Sequence, residues 1–256
     1  MSSWKIKQIK SIQLKSAILI EGLPGIGNVG KVAIDFLIEE IKAKKIYEIS
    51  SFTMPHSVFI NENNLAELPK IEIYHKNFNN MDFMFLCGDV QPAEEVSCYE
   101  FSSDIIELCR KNDCKDIITL GGIGLMEIPK KPKIYCTGNS KKAIDKYKDK
   151  KVNTKLYGIV GPIVGVSGLL LGLAGKNINS VALLAETYGH PMYLGVKGAK
   201  EILSYLNRRF KFGLKIDKLD KEIKAMEEES LKRTEELGKV TQKLKNQKVT
   251  DVNYIG

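Results

Sequence analysis

A strand, a glycine-rich turn and a helix follow one another over residues 17–31, and this succession constrains the fold more than any other feature. The apolar run of residues 17–21 predicts a strand. The residues that end this strand are Gly22, Pro24 and Gly25. Apolar residues then recur at spacings of three and four over residues 29–41, which predicts an amphipathic helix. A strand that leads through a tight turn into a helix is the first unit of an α/β sheet.

Predicted strands and helices alternate through the rest of the first 212 residues. Strands are predicted at 45–50, 58–60, 71–75, 83–87, 116–120, 134–136 and 181–186, with helices that open at Pro92, Pro162 and Ala199. Several of these strands are continuous apolar runs, which is typical of strands buried on both faces. The sequence therefore predicts one α/β domain over residues 1–212, with a mixed, largely parallel sheet sandwiched between helices.

The charge and cysteine content exclude several classes of function. The formal net charge of +8 comes from lysines scattered along the chain with no long uninterrupted basic block, so specific nucleic-acid binding is not implied. The five cysteines include no Cys-x-x-Cys pair, so we expect no metal site and interpret the cysteines as small core residues in a reducing compartment. The amino-terminal residues contain no apolar signal-peptide core, which favours a cytoplasmic location.

An uncharged segment over residues 156–175 resembles a membrane span in length. A helix opening at Pro162 would leave about 13 residues, or roughly 20 Å, which is shorter than the hydrocarbon core of a bilayer. Glycines recur in this segment at spacings of three and four, so we expect a short helix pressed against a neighbouring backbone. The sequence predicts no membrane interaction.

The composition changes after residue 212. Apolar residues follow a heptad pattern that begins at Ile216 and is interrupted at Ser230 and Arg233, which predicts an extended helix over residues 213–248. Residues 249–256 form a short polar segment, which we interpret as a flexible tail. Tyr254 is the lone aromatic residue of this polar segment and buries nothing locally, and aromatic residues at chain ends dock in pockets of partner proteins.

The glycine turn permits two interpretations that involve a nucleotide. Gly25-Ile-Gly27-Asn-Val-Gly30 matches the G-x-G-x-x-G pattern of dinucleotide sites, and Glu48 follows at about the spacing of a ribose-binding acid. Against this, Pro24 removes an amide donor from the turn. The same residues nearly form a phosphate-binding loop that ends at Lys31, but Val32 replaces the hydroxyl that would bind Mg²⁺.

Other candidates for acid–base chemistry are three histidines and three carboxylates. None of the histidines is near a serine or cysteine in a nucleophile elbow, so we expect structural roles for all of them: His56, His75 and His190. Carboxylates at the carboxyl edge of the sheet are able to form a pair or line a pocket: Asp89, Glu127 and Glu186.

Four motifs in order give the chain a resemblance to the proteasome assembly chaperone 2 family. These are the turn at 22–30, Leu120-Gly-Gly-Ile-Gly124, the glycine-rich run at 157–172 and Leu183-Leu-Ala-Glu-Thr187. The resemblance covers most of residues 16–210 and implies that the motif residues serve the architecture. These residues are Gly22, Pro24, Gly25, Gly27, Gly30, Gly121, Gly122, Gly124, Gly161, Gly165 and Gly168.

The resemblance implies a fold similar to nucleoside phosphorylases and a non-enzymatic, ATP-independent chaperone or adaptor that needs no cofactor. It further implies homo-oligomers and proteasome α subunits, or the core particle, as the partner. In archaeal-type members a tail ending in hydrophobic-Tyr-X docks between α subunits. Here Tyr254 is third from the end rather than penultimate, and the tail residues that would dock are Val252, Asn253, Tyr254, Ile255 and Gly256.

Two functions therefore remain open from the sequence. The first is a cytoplasmic proteasome assembly chaperone or adaptor that acts through its surfaces and tail. The alternative is a nucleotide- or nucleoside-binding enzyme that uses the loop over residues 22–31.

Overall fold

The computed structural model describes residues 2–158, 161–216, 220–221 and 224–225. Its strands are β1 (Trp4–Gln8), β2 (Ile18–Gly22), β3 (Lys44–Ser51), β4 (Phe59–Ile60), β5 (Ala66–Glu67), β6 (Ile71–Phe78), β7 (Met81–Gly88), β8 (Asp116–Leu125), β9 (Ile134–Gly138), β10 (Val152–Asn153) and β11 (Asn179–Tyr188). Its helices are α1 (Val29–Glu40), α2 (Glu95–Lys111), α3 (Lys141–Tyr147), α4 (Val166–Leu173) and α5 (Val196–Phe210).

Nine strands form one mixed sheet in the order β1-β3-β6-β7-β2-β8-β11-β9-β10, and β4 and β5 form a separate hairpin. The four central strands β7, β2, β8 and β11 are parallel. Strands β1, β3 and β6 are added antiparallel on one side, while β9 on the other side is antiparallel to β11 and parallel to β10. The predicted mixed sheet is confirmed, and parallel pairing is concentrated at its centre.

Helices cover both faces of this sheet, as the continuous apolar strands predict. In β2, Ile18 and Ile20 pack in the core under α1, α3 and α5, whereas Leu19 packs on the opposite face under α2 and α4. Strand β7 alternates in the same way, with Phe83 and Phe85 on the α1 face and Met84 on the α2 face. The sheet is therefore the middle layer of three.

The glycine motif after Leu120 does not end its strand, contrary to the sequence prediction. Strand β8 continues through Gly121, Gly122 and Gly124 to Leu125, because β11 pairs with it along this whole length. The sequence does not predict four short elements: β1, β5, β10 and α3.

The predicted helix start at Pro162 is also wrong, since α4 begins at Val166. Gly165 has a φ of +84°, which is outside the helical region, and the Gln91 side chain accepts a hydrogen bond from the Val166 amide at 3.4 Å. No helix among the described residues is long and apolar enough to span a membrane.

The chain continues to pack on the core beyond residue 212. Leu214 is buried, Ile216 packs beside it, and Asp220 forms an ion pair with Lys200 of α5. Most of the predicted heptad helix, and all of the tail at 249–256, lie outside the described residues. The division of the chain at residues 212 and 248 remains a prediction.

Helix α3 offers a test of the local packing. Ser140 Oγ accepts a hydrogen bond from the Ala143 amide at 3.1 Å and caps the helix. We expect Ser140→Ala to lower the free energy of unfolding by about 1 kcal/mol, because this amide loses its partner. The same substitution at the exposed Ser103, inside α2, should be neutral or slightly stabilising. Urea denaturation of both variants measures the difference, and equal values would contradict the capping role.

Candidate functional site

The predicted glycine turn lies at the carboxyl edge of the central parallel strands, where α/β proteins place their binding sites. Strand β2 ends at Gly22, a 3₁₀ turn spans Ile26–Asn28, and α1 begins at Val29. Pro24 accepts a hydrogen bond from the Gln91 side chain at 2.7 Å through its carbonyl. The turn is therefore tied to the segment that follows β7.

The first turn of α1 touches neighbouring backbone where side chains are absent. A Cβ atom at Gly30 would lie 2.3 Å from the Leu120 carbonyl oxygen of β8, and one at Gly22 would lie 2.4 Å from the Gly30 carbonyl oxygen. A Cβ atom at Gly122 would lie 2.2 Å from the carbonyl oxygen of Ile26. These distances leave no room for any side chain, so helix, turn and strands are in direct backbone contact.

Two residues of the turn have left-handed backbone conformations, Gly27 at φ +60° and Asn28 at φ +49°. The Gly27 carbonyl accepts a hydrogen bond from the Gly195 amide at 2.7 Å, and Thr187 of β11 lies against both glycines. Gly25, in contrast, has no atom within 4 Å of the position of a Cβ. The turn is fastened to β8, β11 and the loop before α5.

The remaining motif glycines lie in β8, at the start of α4, or in the segment before α4. Gly121 and Gly124 lie in β8, where a Cβ would come within 3.0 Å of Leu184 and 3.2 Å of Gly189. At Gly165 and Gly168 a Cβ would meet the Gln91 side chain at 2.6 Å and the Ile163 carbonyl oxygen at 1.9 Å. Gly161 has open space at the Cβ position.

Lys31, the residue that would meet a nucleotide phosphate, points to carboxylates instead. Its ammonium nitrogen lies 2.9 Å from Asp35 and 3.7 Å from Asp89. Val32 packs against the core of the α1 face. An anionic ligand would have to displace two acidic side chains from the only cation of this loop.

Glu48 is placed too far away to bind a ribose at this turn. It lies on β3, which is separated from β2 by β6 and β7. Three strand spacings amount to roughly 14 Å. Glu48 also forms an ion pair with Lys45 at 2.6 Å. In a dinucleotide site the acid-bearing strand lies next to the first strand, so this topology differs from that arrangement.

A carboxyl group that the sequence analysis did not single out is buried beneath the turn. Glu21 of β2 is completely buried, accepts a hydrogen bond from the Leu23 amide at 2.8 Å and another from the Ser167 hydroxyl at 2.8 Å. Burial raises the pKa of Glu21 to about 7, although both hydrogen bonds act in the opposite direction. Glu21 thus links the end of β2 to the start of α4.

The predicted histidine and carboxylate candidates are dispersed. His75 pairs with Asp82 at 2.9 Å, His190 stacks on Tyr188, and His56 is exposed. Glu186 accepts hydrogen bonds from the Lys133 amide and the Tyr135 hydroxyl, and Asp89 accepts one from the Lys70 amide. Glu127 is exposed. Asp89 directly follows β7 and Glu186 is on β11, three strand positions away, so these two residues do not form a carboxylate pair.

A cleft of about 420 Å³ lies beside α1 at the same edge, between that helix and the β4–β5 hairpin. Its lining residues include Lys31, Asp35, Phe59, Glu72, Tyr74 and Asp89. The five cysteines are buried and unbridged, and no group of three or more potential metal ligands occurs among the described residues.

Comparison with known proteins places this architecture in a family. The PAC2 family model matches residues 19–233, which is most of the chain. The chain belongs to the PAC2 family. All of the glycine motifs lie within the matched residues, whereas the tail at 252–256 lies outside the match and outside the described residues.

Three known proteins are similar to nearly the whole chain. A solved structure of Pyrococcus furiosus PbaB, an archaeal proteasome activator, is 30% identical with a TM-score of 0.82, covering 92% of this chain and all of PbaB. Pyrococcus furiosus PbaA, an archaeal homologue of proteasome-assembly chaperone, is 24% identical with a TM-score of 0.73, covering 96% and 99%. An uncharacterised protein of Methanocaldococcus jannaschii is 29% identical, covering 98% and 96%.

The residues that sequence analysis missed in this PAC2 domain are the polar ones that join its loops. Glu21, Gln91 and Ser167 come from three separate segments, and only the fold brings them to one place. One signal was available for Glu21, which is an acid at the end of an otherwise apolar run directly before a glycine.

The backbone contact of α1 is tested by Gly30→Ala. The added methyl group would overlap the Leu120 carbonyl, and overpacking of this kind costs about 1–3 kcal/mol of stability. Gly172→Ala in α4 adds the same methyl group to open space and should be neutral or stabilising by up to about 1 kcal/mol. Urea denaturation compares the two variants. A Gly30→Ala protein as stable as Gly172→Ala would contradict the close contact.

The buried carboxyl of Glu21 predicts a pH dependence. The folded protein holds the proton up to about pH 7, whereas the unfolded chain releases it near the ordinary value of 4.5. The stabilisation of the folded state by protonated Glu21 is therefore complete below pH 4.5, and it is lost as the pH rises through 7. At about 1.4 kcal/mol per pKa unit, this loss is about 3 kcal/mol.

Glu21→Gln keeps a carbonyl acceptor and cannot ionise. Relative to the wild-type protein, we expect this variant to gain about 3 kcal/mol of stability between pH 4.5 and pH 8, measured by urea denaturation at several pH values. Other titrating groups cancel in the difference between the two proteins. A difference that is constant with pH would show that Glu21 ionises normally in the folded state.

Proposed function

We propose that this PAC2-family chain is a proteasome assembly chaperone or proteasome-binding adaptor that works without ATP. The observation that carries the proposal is the similarity to PbaB, which extends over the whole of that archaeal proteasome activator at 30% identity. The similarity to PbaA, a homologue of proteasome-assembly chaperone, supports the same fold. We further propose a cytoplasmic homo-oligomer whose partner is the proteasome core particle or its α subunits.

The geometry of the glycine turn supports a non-enzymatic role. The close contacts of Gly22, Gly30 and Gly122 account for these glycines without a ligand. Lys31 is paired with carboxylates, and Glu48 is on a distant strand. We propose that the motif residues serve the architecture of the domain. The alternative of a nucleotide- or nucleoside-binding enzyme rests on the glycine pattern and its position at the carboxyl edge, and the pairing of Lys31 with Asp35 and Asp89 argues against it.

We propose that the tail at 252–256 makes the contact with the α ring. An aromatic side chain with an apolar neighbour in a polar segment is the kind of feature that pockets in partner proteins bind. Tyr254 supplies the ring, and Ile255 is the apolar residue beside it. The preceding residues Thr250 and Asp251 are polar, so the local sequence provides no apolar cluster that would explain an aromatic side chain here.

The tail proposal predicts that deleting residues 254–256 abolishes binding to an archaeal proteasome core particle. Because the core of the described residues is complete by Ile216, we expect the melting temperature of the domain to stay constant. Binding is measured by capture of the purified core particle on immobilised protein, and stability by thermal denaturation.

Two point variants sharpen the measurement. Tyr254→Ala should lose binding in the same way, whereas Thr250→Ala, in the same tail, should bind like the wild-type protein. Unchanged capture by the protein without residues 254–256 would mean that another part of the chain contacts the core particle, and it would refute tail docking.

A further inference from the structure

Exposed apolar side chains are concentrated at one edge of the molecule. Fourteen large apolar residues are exposed among the described residues, and twelve of them lie at the sheet edge where β3 and the central strands end, in connecting segments, in the β4–β5 hairpin or in the first turns of α2. They are Ile26, Phe52, Val58, Phe59, Ile60, Leu65, Leu68, Val96, Tyr99, Met126, Val164 and Met192. Ile9, at the opposite edge, and Tyr157 are the other two. We call this edge, with its twelve residues, the apolar edge.

The apolar edge is large enough for a stable protein interface. Three of the twelve side chains are aromatic, with about 150–250 Å² of surface each when fully exposed, and the other nine are smaller. Together these partly exposed side chains amount to on the order of 1,000 Å². Monomeric proteins rarely expose contiguous apolar patches of more than a few hundred Å². A standard interface buries about 800 Å² on each partner. A partner protein that covers this edge would remove its apolar surface from water, which is favourable.

The charges at the two ends of the apolar edge are opposite. One end adjoins β3, β6 and β7, and its segments 57–69 and 89–95 contain five acids and no lysine or arginine. Counting the flanking Lys31 and Lys70, which pair with Asp89 and Glu67, leaves a net charge of −3. The other end adjoins β8, β9 and β10.

The segment at this second end is 126–133, between β8 and β9. It contains three lysines and one glutamate, which is a net charge of +2. Strand β2 and its glycine turn lie between the two ends, with the exposed Ile26 at the centre. An apolar strip with an acidic end and a basic end is complementary to a copy of itself, because a two-fold axis exchanges the ends.

We propose that the apolar edge is the surface through which two copies of this chain pair about a two-fold axis. The acidic hairpin β4–β5 of one copy then faces the lysines at 130–133 of the other, and the apolar residues between them are buried. This proposal rests on the homo-oligomer proposed above and specifies its surface. The self-complementary charges favour a second copy over an unrelated partner, which would need no such symmetry.

The test uses the purified full-length protein and light scattering after gel filtration, over a range of protein concentrations. The wild-type protein should have at least twice the chain mass of 28.7 kDa. Leu68, at the acidic end, is 73% exposed, and Met126, at the basic end, is 93% exposed. In the pair, Leu68→Lys would place a positive charge against the basic end of the second copy. Met126→Asp would place a negative charge against its acidic end. Each variant should raise the dissociation constant at least tenfold.

Ile9→Lys is the matched control. Ile9 is 43% exposed, but it lies at the opposite edge of the sheet, so its substitution should leave the mass unchanged. A charge exchange tests the pairing of the ends. Lys131→Glu and Glu62→Lys should each weaken association, and the double variant should restore it, because every two-fold contact regains an opposite charge.

Several results would overturn the proposal. A wild-type protein that is monomeric at all concentrations would do so, as would Leu68→Lys and Met126→Asp proteins that keep the wild-type mass. Loss of proteasome binding in these variants without a change of mass would assign the edge to that partner instead. Since all variants retain residues 252–256, failure of tail docking leaves the mass measurement unaffected, and the two proposals fail separately.

Discussion

Direct contact between backbones at the start of α1 determines where everything else at the carboxyl edge lies. The absence of side chains at Gly22, Gly30 and Gly122 lets the helix rest on β2 and β8, and the carbonyl of Gly27 then reaches the loop before α5. A methyl group at any of the three close contacts would displace the helix by overlap with a carbonyl oxygen. The segment that resembles a phosphate loop therefore fastens four elements together.

The strand–turn–helix units, the buried central strands and the two-sided packing could be predicted, because apolar runs and helical spacing are local signals. The start of α4 could not, since it depends on Gln91 from another loop, and Pro162 alone gave the wrong position. The extension of β8 through Gly121 depends on its pairing with β11. The distance between Glu48 and the turn could not be predicted either. It depends on the order of the strands in the sheet, which local sequence patterns do not reveal. Docking of residues 252–256 remains a prediction.

The same edge combines rigidity with exposed apolar surface. Beneath it, Glu21 and Ser167 tie β2 to α4, while Ile26 and the hairpin residues above it are open to solvent. Lys31, the only cationic residue of the loop at 22–31, forms ion pairs with Asp35 and Asp89. This distribution suits a protein that acts through association, in agreement with its membership of the PAC2 family.

The most direct measurement is the melting temperature of the full-length protein with and without millimolar Mg²⁺-ATP, NAD or a nucleoside. If the turn serves the architecture alone, none of them stabilises the folded state, and the melting temperature stays constant with each. A rise of about 3 °C or more that disappears in Gly27→Asp would show that the turn binds a nucleotide, and it would contradict this account.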